Sequence, residues 1–413
     1  MANLLNVDVA LERILSHIHQ LSSENISLRD AQGKVLATDI ISEINLPPFA
    51  NSAMDGFAVR SADVTQASKE HSVQLRVIID IPAGYVADVT IAEGQAARIM
   101  TGAPLPTGAD AVVPVEDTNI DWENWDADVT PEQVQVFRAV TSGAAVRPVG
   151  ENIKAGTQVL AAGVVLRPQE IGLLASLGQA VVPVIRKPRV VIISSGDELI
   201  DADEPLTPGK IRDVNSYTLA GLIQQYGGEA IVLPPARDTL ANVRHVFDEA
   251  ITTQPDLIIS SAGASVGASD FVQVVLREKG EVDFWRINLR PGKPLSFGNV
   301  GDVPFFGLPG NPVSAMVTFD VLVRPALLKL GGRQIEWQTT TAITGEAFTS
   351  DGRRSYLRVR LSRNATGDLI ATSTGTQSSG ALLSMAQADG LLIIPEDVFE
   401  VAEGERLQVR LLR

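Results

Sequence analysis

PDLIISSAGASVGASDFVQVVLREKG, residues 255–280, is the stretch on which the reading of the fold turns. PDLIIS (255–260) is a short apolar run of strand length, and SDFVQVVLREKG (269–280) has the spacing of a helix. Between them lies a glycine- and serine-rich connection, which is the composition of a phosphate cradle and equally that of a loose turn. It matches neither GxGxxG nor GxxxxGK[ST], so the loop alone leaves both readings open. The strand–loop–helix unit sets the pattern for its neighbours.

Outward from it, strand and helix alternate. KPRVVIISS (187–195) reads as a strand and NSYTLAGLIQQYGG (215–228) as a helix with Asn215 as its N-cap. EAIVLPP (229–235) is a strand and TLANVRHVFDEAITT (239–253) a helix; FFGLPGNPVSAMVTFDVLVRPALLKLGG (305–332) gives a strand and a long closing helix. Such alternation predicts a parallel, doubly wound α/β sheet.

Before it, residues 7–19 put Val7, Leu11, Ile14, Leu15 and Ile18 on one helical face. From about 21 to 180 short β-like runs are cut by Gly and Pro, among them VQLRVIID, GQAARIM, DAVVPV, EQVQVFRAV and GTQVL, with one helix at PQEIGLLASLG. After 332 the chain returns to β: SYLRVRLS (355–362) alternates Leu357, Val359 and Leu361 against Arg358 and Arg360.

The chain has 413 residues, enough for two to four domains, and no cysteine, which removes disulfides, thiolate metal sites and cysteine nucleophiles. With 34 Lys+Arg against 49 Asp+Glu the net charge is -15, which argues against nucleic acid as a partner. No signal peptide is read at the start, because Asp8, Glu12 and Arg13 interrupt it, and no stretch approaches the roughly 20 apolar residues of a membrane helix. The expected compartment is the cytoplasm.

In open α/β sheets ligands bind beyond the carboxyl ends of the strands. That edge collects Ser194, Ser195, Gly196, Asp197 and Glu198 after the first strand, Asp238 after the second, and Gly263, Ser265, Gly267 and Asp270 after the third. FWRINLRPGKP adds Arg286, Arg290 and Lys293, and LPGNPVSA adds Pro309, Gly310, Asn311, Pro312 and Ser314. Glycines and hydroxyls suit an anion, and carboxylates beside a phosphate call for a hard cation between them. Each carboxylate taken singly is as well explained by helix capping or solvation. The four histidines, His17, His19, His71 and His245, have no metal-ligand spacing. Earlier in the chain, Asp55 in LPPFANSAMDGFAVR, Thr101 in RIMTGAPLPTGAD, and Arg147 and Glu151 in VRPVGENIKAG stand in loops of similar character, for which a structural turn is the other reading.

NSAMDGFAVR, IMTGAPLP, SSGDEL, SVGASD, RPGKP and GLPGNPVSA, in this order and spacing, resemble the MoeA family of molybdopterin molybdenumtransferases, which includes the gephyrin E domain and the plant molybdenum insertase; the likeness runs from about residue 7 to the C-terminus. The resemblance implies a multidomain α/β plus β fold. Its parts would be an N-terminal helix (7–20) packing on the α/β domain, a linker lobe (21–46 and 157–180), an inserted β-rich lobe (47–156), an α/β molybdopterin-binding domain (181–330) and a C-terminal β domain (331–413). It implies a homodimer whose clefts are shared between subunits. The reaction implied is insertion of molybdenum from molybdate into adenylylated molybdopterin, with Mg²⁺-dependent release of AMP. The implied partners are a molybdopterin adenylyltransferase and molybdoenzyme apoproteins.

By the same resemblance Asp55, Thr101, Glu198, Asp238 and Asp270 would be catalytic, the four carboxylates among them serving Mg²⁺. Arg147, Ser195, Gly196, Gly263, Ser265, Gly267, Arg286, Arg290, Lys293, Pro309, Asn311, Pro312 and Ser314 would bind the ligand. Arg358 and Ser379 match positions associated with molybdate, and Arg353 is a second basic match. Asn152 stands where Asp is usual, Ala262 where Gly is common, Ser355 where an acidic residue is frequent, and Arg286 and Arg290 where many members carry Lys. Other functions weighed are a catalytically weak scaffold or molybdopterin carrier, a tungstate-specific insertase, and a nucleotide- or pterin-processing hydrolase or adenylyltransferase on the same α/β domain.

Overall fold

A computed structural model describes residues 4–121, 129–261 and 271–412. The chain forms two compact units, one of Met1–Thr38, Ala162–Ile171 and Val181–Arg413, the other of Asp39–Ala161 and Gly172–Ala180. No helix among the described residues is long and apolar enough to cross a membrane.

The centre of the first unit is a six-stranded sheet of β1 (Arg189–Ile193), β2 (Glu229–Val232), β3 (Leu257–Ser260), β4 (Gly280–Arg286), β5 (Pro294–Val300) and β6 (Val303–Gly307), in the order β2-β1-β3-β6-β5-β4. The first four in that order are parallel. β5 and β4 extend the sheet antiparallel, so the expected parallel core carries a mixed edge. β5 returns to β6 through the two-residue turn Gly301–Asp302, with Gly301 at φ 59°, as a tight hairpin requires.

Helices α1 (Val7–His17), α2 (Val214–Gln225), α5 (Pro312–Thr318) and α6 (Arg324–Leu330) share a core with Val190, Ile192, Leu257 and Ile259. Helices α3 (Leu240–Thr252) and α4 (Phe271–Lys279) share another with Val191, Ile193, Ile258 and Phe305. Successive strand residues point to opposite faces, so the near-continuous apolar runs serve both cores. Truncating fully buried Phe247 of α3 to alanine would cost about 3–5 kcal/mol.

Two details depart from the sequence reading. Asp213, not Asn215, caps α2: its carboxylate accepts the Ser216 N–H at 3.1 Å, and Asn215 lies inside the first turn. The expected long closing helix is interrupted by a π-helical turn, Phe319–Val323, between α5 and α6. Pro325, just beyond it, has no N–H with which to continue the α-helical ladder.

In the C-terminal part, strand Arg354–Arg363 pairs with Leu369–Ser373 on one side and with Gly390–Ile394 on the other. Thr339–Thr344 and Arg406–Leu411 complete the circuit, so these five strands close on themselves around Leu357, Val359, Ala371 and Leu392. Alternation along SYLRVRLS is observed, but the second face is also covered: Tyr356 and Arg358 are 2% and 1% exposed. The second unit is built on a five-stranded sheet ordered Ala111–Pro114, Gly56–Val59, Gln95–Ile99, Val73–Ile81, Gln133–Val136. Cores lie on both faces, one around Phe57 and Val59, the other around Ala58 and Ile99.

Candidate functional site

At the carboxyl ends of β1 and β2, Ser195 bridges Ala236 and the Gly196 N–H donates to the Ala236 carbonyl at 3.1 Å. Gly196 has φ 149°, and a Cβ there would lie 2.7 Å from a Glu198 carboxylate oxygen. Only glycine lets this loop turn while the Glu198 side chain folds back over it. Asp197 and Asp238 are tied reciprocally, each backbone N–H donating to the other's carboxylate at 3.4 and 3.2 Å. Lys210 Nζ donates to the Asp197 carbonyl. A cavity of about 1350 Å³ adjoins this loop, lined by Gly196, Asp197, Lys210, Asp213, Tyr217 and Arg237 among others. On its wall the Tyr217 hydroxyl donates to Asp201 and holds that carboxylate below its usual range.

The ends of β3 and β6 are linked by Leu308 N–H to the Ser260 carbonyl at 2.7 Å. Asn215, at the start of α2, donates from Nδ2 to the Gly310 carbonyl at 2.8 Å. Pro309 is buried, Asn311 exposed, Pro312 begins α5, and Ser314 is 5% exposed. The Val313 N–H donates to the Ser379 carbonyl at 3.0 Å, which brings the C-terminal serine to this loop.

Arg286 and Lys293 are exposed, Arg290 is half-buried, and the Ile287 N–H closes the RPGKP turn on the Lys293 carbonyl at 2.7 Å. A Cβ on Gly292 would lie 2.3 Å from Thr318 Oγ1, so glycine permits the turn to press against α5. Arg290 pairs with Ser355 of the C-terminal strand. Arg353 is committed elsewhere, to Asp351 at 2.6 Å and the Leu289 carbonyl at 2.9 Å. Arg358 donates to Ser384 Oγ at 3.1 Å and to the Thr376 and Ser378 carbonyls at 3.1 and 2.9 Å. Burial, and then the neighbouring Arg290, push its guanidinium pKa down. These bonds shape the loop that carries Ser379.

In the second unit, Asp55 Oδ1 accepts from both the N–H and the Oγ1 of Thr101, each at 2.7 Å, across 46 residues of sequence. Strand Asn51–Ser52 pairs with Val146–Arg147, which sets the exposed Arg147 beside the same loop. A Cβ at Gly56 would lie 2.1 Å from the Val113 carbonyl, so the Asp55–Gly56 turn enters its sheet only with glycine.

Gly263, Ser265, Gly267, Asp270 and Ala262 lie outside the described residues. Among the described residues no group of three His, Cys, Asp or Glu side chains is assembled. Glu198 lies over Gly196, and Asp197 and Asp238 are tied through their backbones, so carboxylates line this loop without three of them converging. Sequence reasoning missed Asp213 and Ser216 altogether, and gave Asn215 a capping role. The only signal for them was the polar turn DVNS (213–216) at a helix start.

The chain matches the MoeA N-terminal region (domain I and II) over residues 5–178, the probable molybdopterin binding domain over 191–329 and the MoeA C-terminal region (domain IV) over 341–412. It is 39% identical over 392 residues to molybdopterin molybdenumtransferase 2 of Mycobacterium tuberculosis (strain ATCC 25618 / H37Rv), covering 93% of this chain and 94% of that one. It is 35% identical over 411 residues to the molybdopterin molybdenumtransferase of Haemophilus influenzae, covering 98% of each. A crystal structure of the molybdopterin biosynthesis protein MoeA from Pyrococcus horikosii superposes with a TM-score of 0.83 at 32% identity, over 100% of both chains.

Proposed function

This chain belongs to the MoeA family of molybdopterin molybdenumtransferases, enzymes of molybdenum cofactor biosynthesis, and from that premise we propose the reaction it performs. Adenylylated molybdopterin and molybdate are converted to molybdenum cofactor and AMP, with Mg²⁺ held at the Glu198 and Asp238 end of the α/β domain. The Glu198 and Asp238 carboxylates would hold the ion, which would supply positive charge to the pyrophosphate oxygens. Arg286, Arg290 and Lys293 receive the anionic ligand. Arg358, its own fork occupied by carbonyls, positions the Ser379 loop for the oxyanion.

The observation that carries this reading is the Gly196 turn: a backbone left open by glycine with Glu198 folded over it and the Asp197–Asp238 pair alongside. Asp55, held by Thr101, completes the proposed site from the partner subunit of a homodimer. Asp270 would add a further carboxylate, and Gly263, Ser265 and Gly267 backbone donors.

The test is AMP release from adenylylated molybdopterin with Mg²⁺, with and without molybdate, for the wild type, Asp55→Ala and Asp238→Ala. Molybdate-dependent release that is lost in both variants supports the proposal. Tight binding without release under any condition would instead establish a carrier or scaffold, and release only with tungstate would change the oxyanion.

A further inference from the structure

The loop from Arg286 to Lys293, which carries three cations assigned to the ligand, is held by groups far from it in sequence. Leu5, just before α1, donates its N–H to the Arg286 carbonyl and accepts from the Asn288 N–H, each at 2.8 Å. The Arg354 N–H donates to the Asn288 carbonyl at 3.1 Å, and Leu289–Arg290 run parallel to Arg354 and Ser355.

Three side-chain donors then meet on one carboxylate. Glu396 accepts from Asn6 Nδ2 at 3.0 Å and from Asn288 Nδ2 at 2.9 Å, and the Arg354 guanidinium lies 3.4 Å from it. An ionised carboxylate offers only acceptors, so it satisfies all three at once. Asn6 is oriented for this: its Oδ1 caps α1 by accepting the Asp8 and Val9 N–H groups at 2.9 and 3.2 Å, which leaves Nδ2 for Glu396. PEDVFE (395–400) reads in sequence as a solvated acidic turn. Asp397 and Glu400 are indeed exposed, whereas the Glu396 side chain is 19% exposed.

The clamp works against a repulsion. Burial first, and the nearness of Arg290 second, push the Arg358 pKa down. Asp351 also feels Arg290, but its carboxylate is engaged by Arg353 at 2.6 Å. Arg358 is fixed by its bonds to Ser384, Thr376 and Ser378, so the loop is the part that must be tied. Glu396 follows Gly390–Ile394, which pairs with the strand bearing Arg358, and Asn288 lies two residues before Arg290. The tie therefore sets the distance between the two guanidiniums.

We propose that Glu396 is a positioning residue that, through Asn288, holds Arg290 beside Arg358, so that Arg290 is preorganised for an anionic ligand. The inference rests on the reading above that this loop receives adenylylated molybdopterin. Glu396 itself touches no ligand. Its part is to keep two like charges together before the anion arrives, a cost otherwise taken from binding.

Affinity for adenylylated molybdopterin would be measured by calorimetry without molybdate for the wild type, Glu396→Ala, Asn288→Ala, Arg290→Ala and the double variant Glu396→Ala/Arg290→Ala. Asp8→Ala is the control, since it breaks the neighbouring ion pair with Arg354 and leaves the clamp intact. The expected result is binding about tenfold weaker in Glu396→Ala and Asn288→Ala, a double variant no weaker than Arg290→Ala, and Asp8→Ala unchanged. Asn288→Ala unties the loop while Glu396 keeps Asn6 and Arg354, and so supplies the test if Glu396→Ala fails to fold. In AMP release both clamp variants should raise KM by the same factor, with kcat changed by less than about twofold. Unchanged affinity in the folded clamp variants, additive losses in the double variant, or a fall in kcat at unchanged KM would each overturn the proposal. Because affinity is read without turnover, wild-type binding without AMP release would reject the proposed reaction and leave the affinity comparison standing; no wild-type binding of adenylylated molybdopterin would reject both.

Discussion

Gly196 carries more of the candidate site than any charged residue beside it. Its φ of 149° belongs to a region that side chains rarely adopt, and its missing Cβ makes the space in which the Glu198 carboxylate lies. Gly196→Ala should therefore cost about 1–3 kcal/mol of stability and displace Glu198. Measured by denaturant unfolding together with AMP release, the variant should lose activity under conditions where it is still fully folded. The loop was legible as SSGDEL because glycine and carboxylates after an apolar strand are unusual company. Which groups the carboxylates would face was not legible. Asp197 and Asp238 are 41 residues apart, and their reciprocal bonds arise only because β1 and β2 lie side by side.

At the scale of elements, helix starts divide into those written locally and those decided by neighbours. The helix Pro168–Ser176 is of the first kind: proline opens it, the Arg167 N–H donates to the Glu170 carboxylate at 2.9 Å, and the Arg167 guanidinium returns to the same carboxylate. That hydrogen bond lowers the Glu170 pKa from 4.5 to about 2. A folded-state pKa below the unfolded one adds stability above pH 4.5 that is lost as pH falls toward 2. In an NMR titration the Glu170 carboxyl should show this low midpoint in the wild type and return toward 4.5 in Arg167→Ala. The start of α2 is of the second kind. Asp213 and Asn215 are both good caps by residue type, and the choice between them followed from Gly310, 95 residues away, which engages the Asn215 amide. The mixed edge of the sheet was likewise hidden, since GEVDFWR (280–286) carries charges that do not announce a paired strand.

At the scale of the whole molecule, the first unit is tied together by a buried cluster that no local pattern announces. Asp320, in the π-helical turn, accepts from Arg324 at 3.3 Å and from Arg410 of the C-terminal strand at 2.6 Å. Both guanidiniums lie over aromatic rings, Arg324 over Tyr226 and Arg410 over Trp337, each at 4.6 Å. Asp320→Ala leaves the buried Arg410 and the half-buried Arg324 without their shared carboxylate and should destabilise the protein by about 3–5 kcal/mol, read by thermal or urea unfolding. The proposed shared cleft is tested at this scale too. Neither Asp55→Ala nor Asp238→Ala should release AMP alone. Subunits of the two variants, unfolded and refolded together in equal amounts, should recover about a quarter of wild-type activity, because half the dimers are mixed and each mixed dimer holds one intact cleft. No recovery would place both residues in one subunit's site.

The sequence by itself determined the alternation of elements, the pairing of two helix layers with one sheet, the glycines that tight turns demand, and the family. Periodicity and backbone sterics are local properties, and six motifs in order survive any ignorance of contacts. Tertiary structure alone decided which groups meet: Asp55 with Thr101, Ser379 with α5, Arg358 turned inward onto carbonyls, and Asn6 and Asn288 on the single carboxylate of Glu396. Hydrogen bonds have direction and a limited supply of protons, so the role of a serine or an arginine depends on partners that the linear order does not contain.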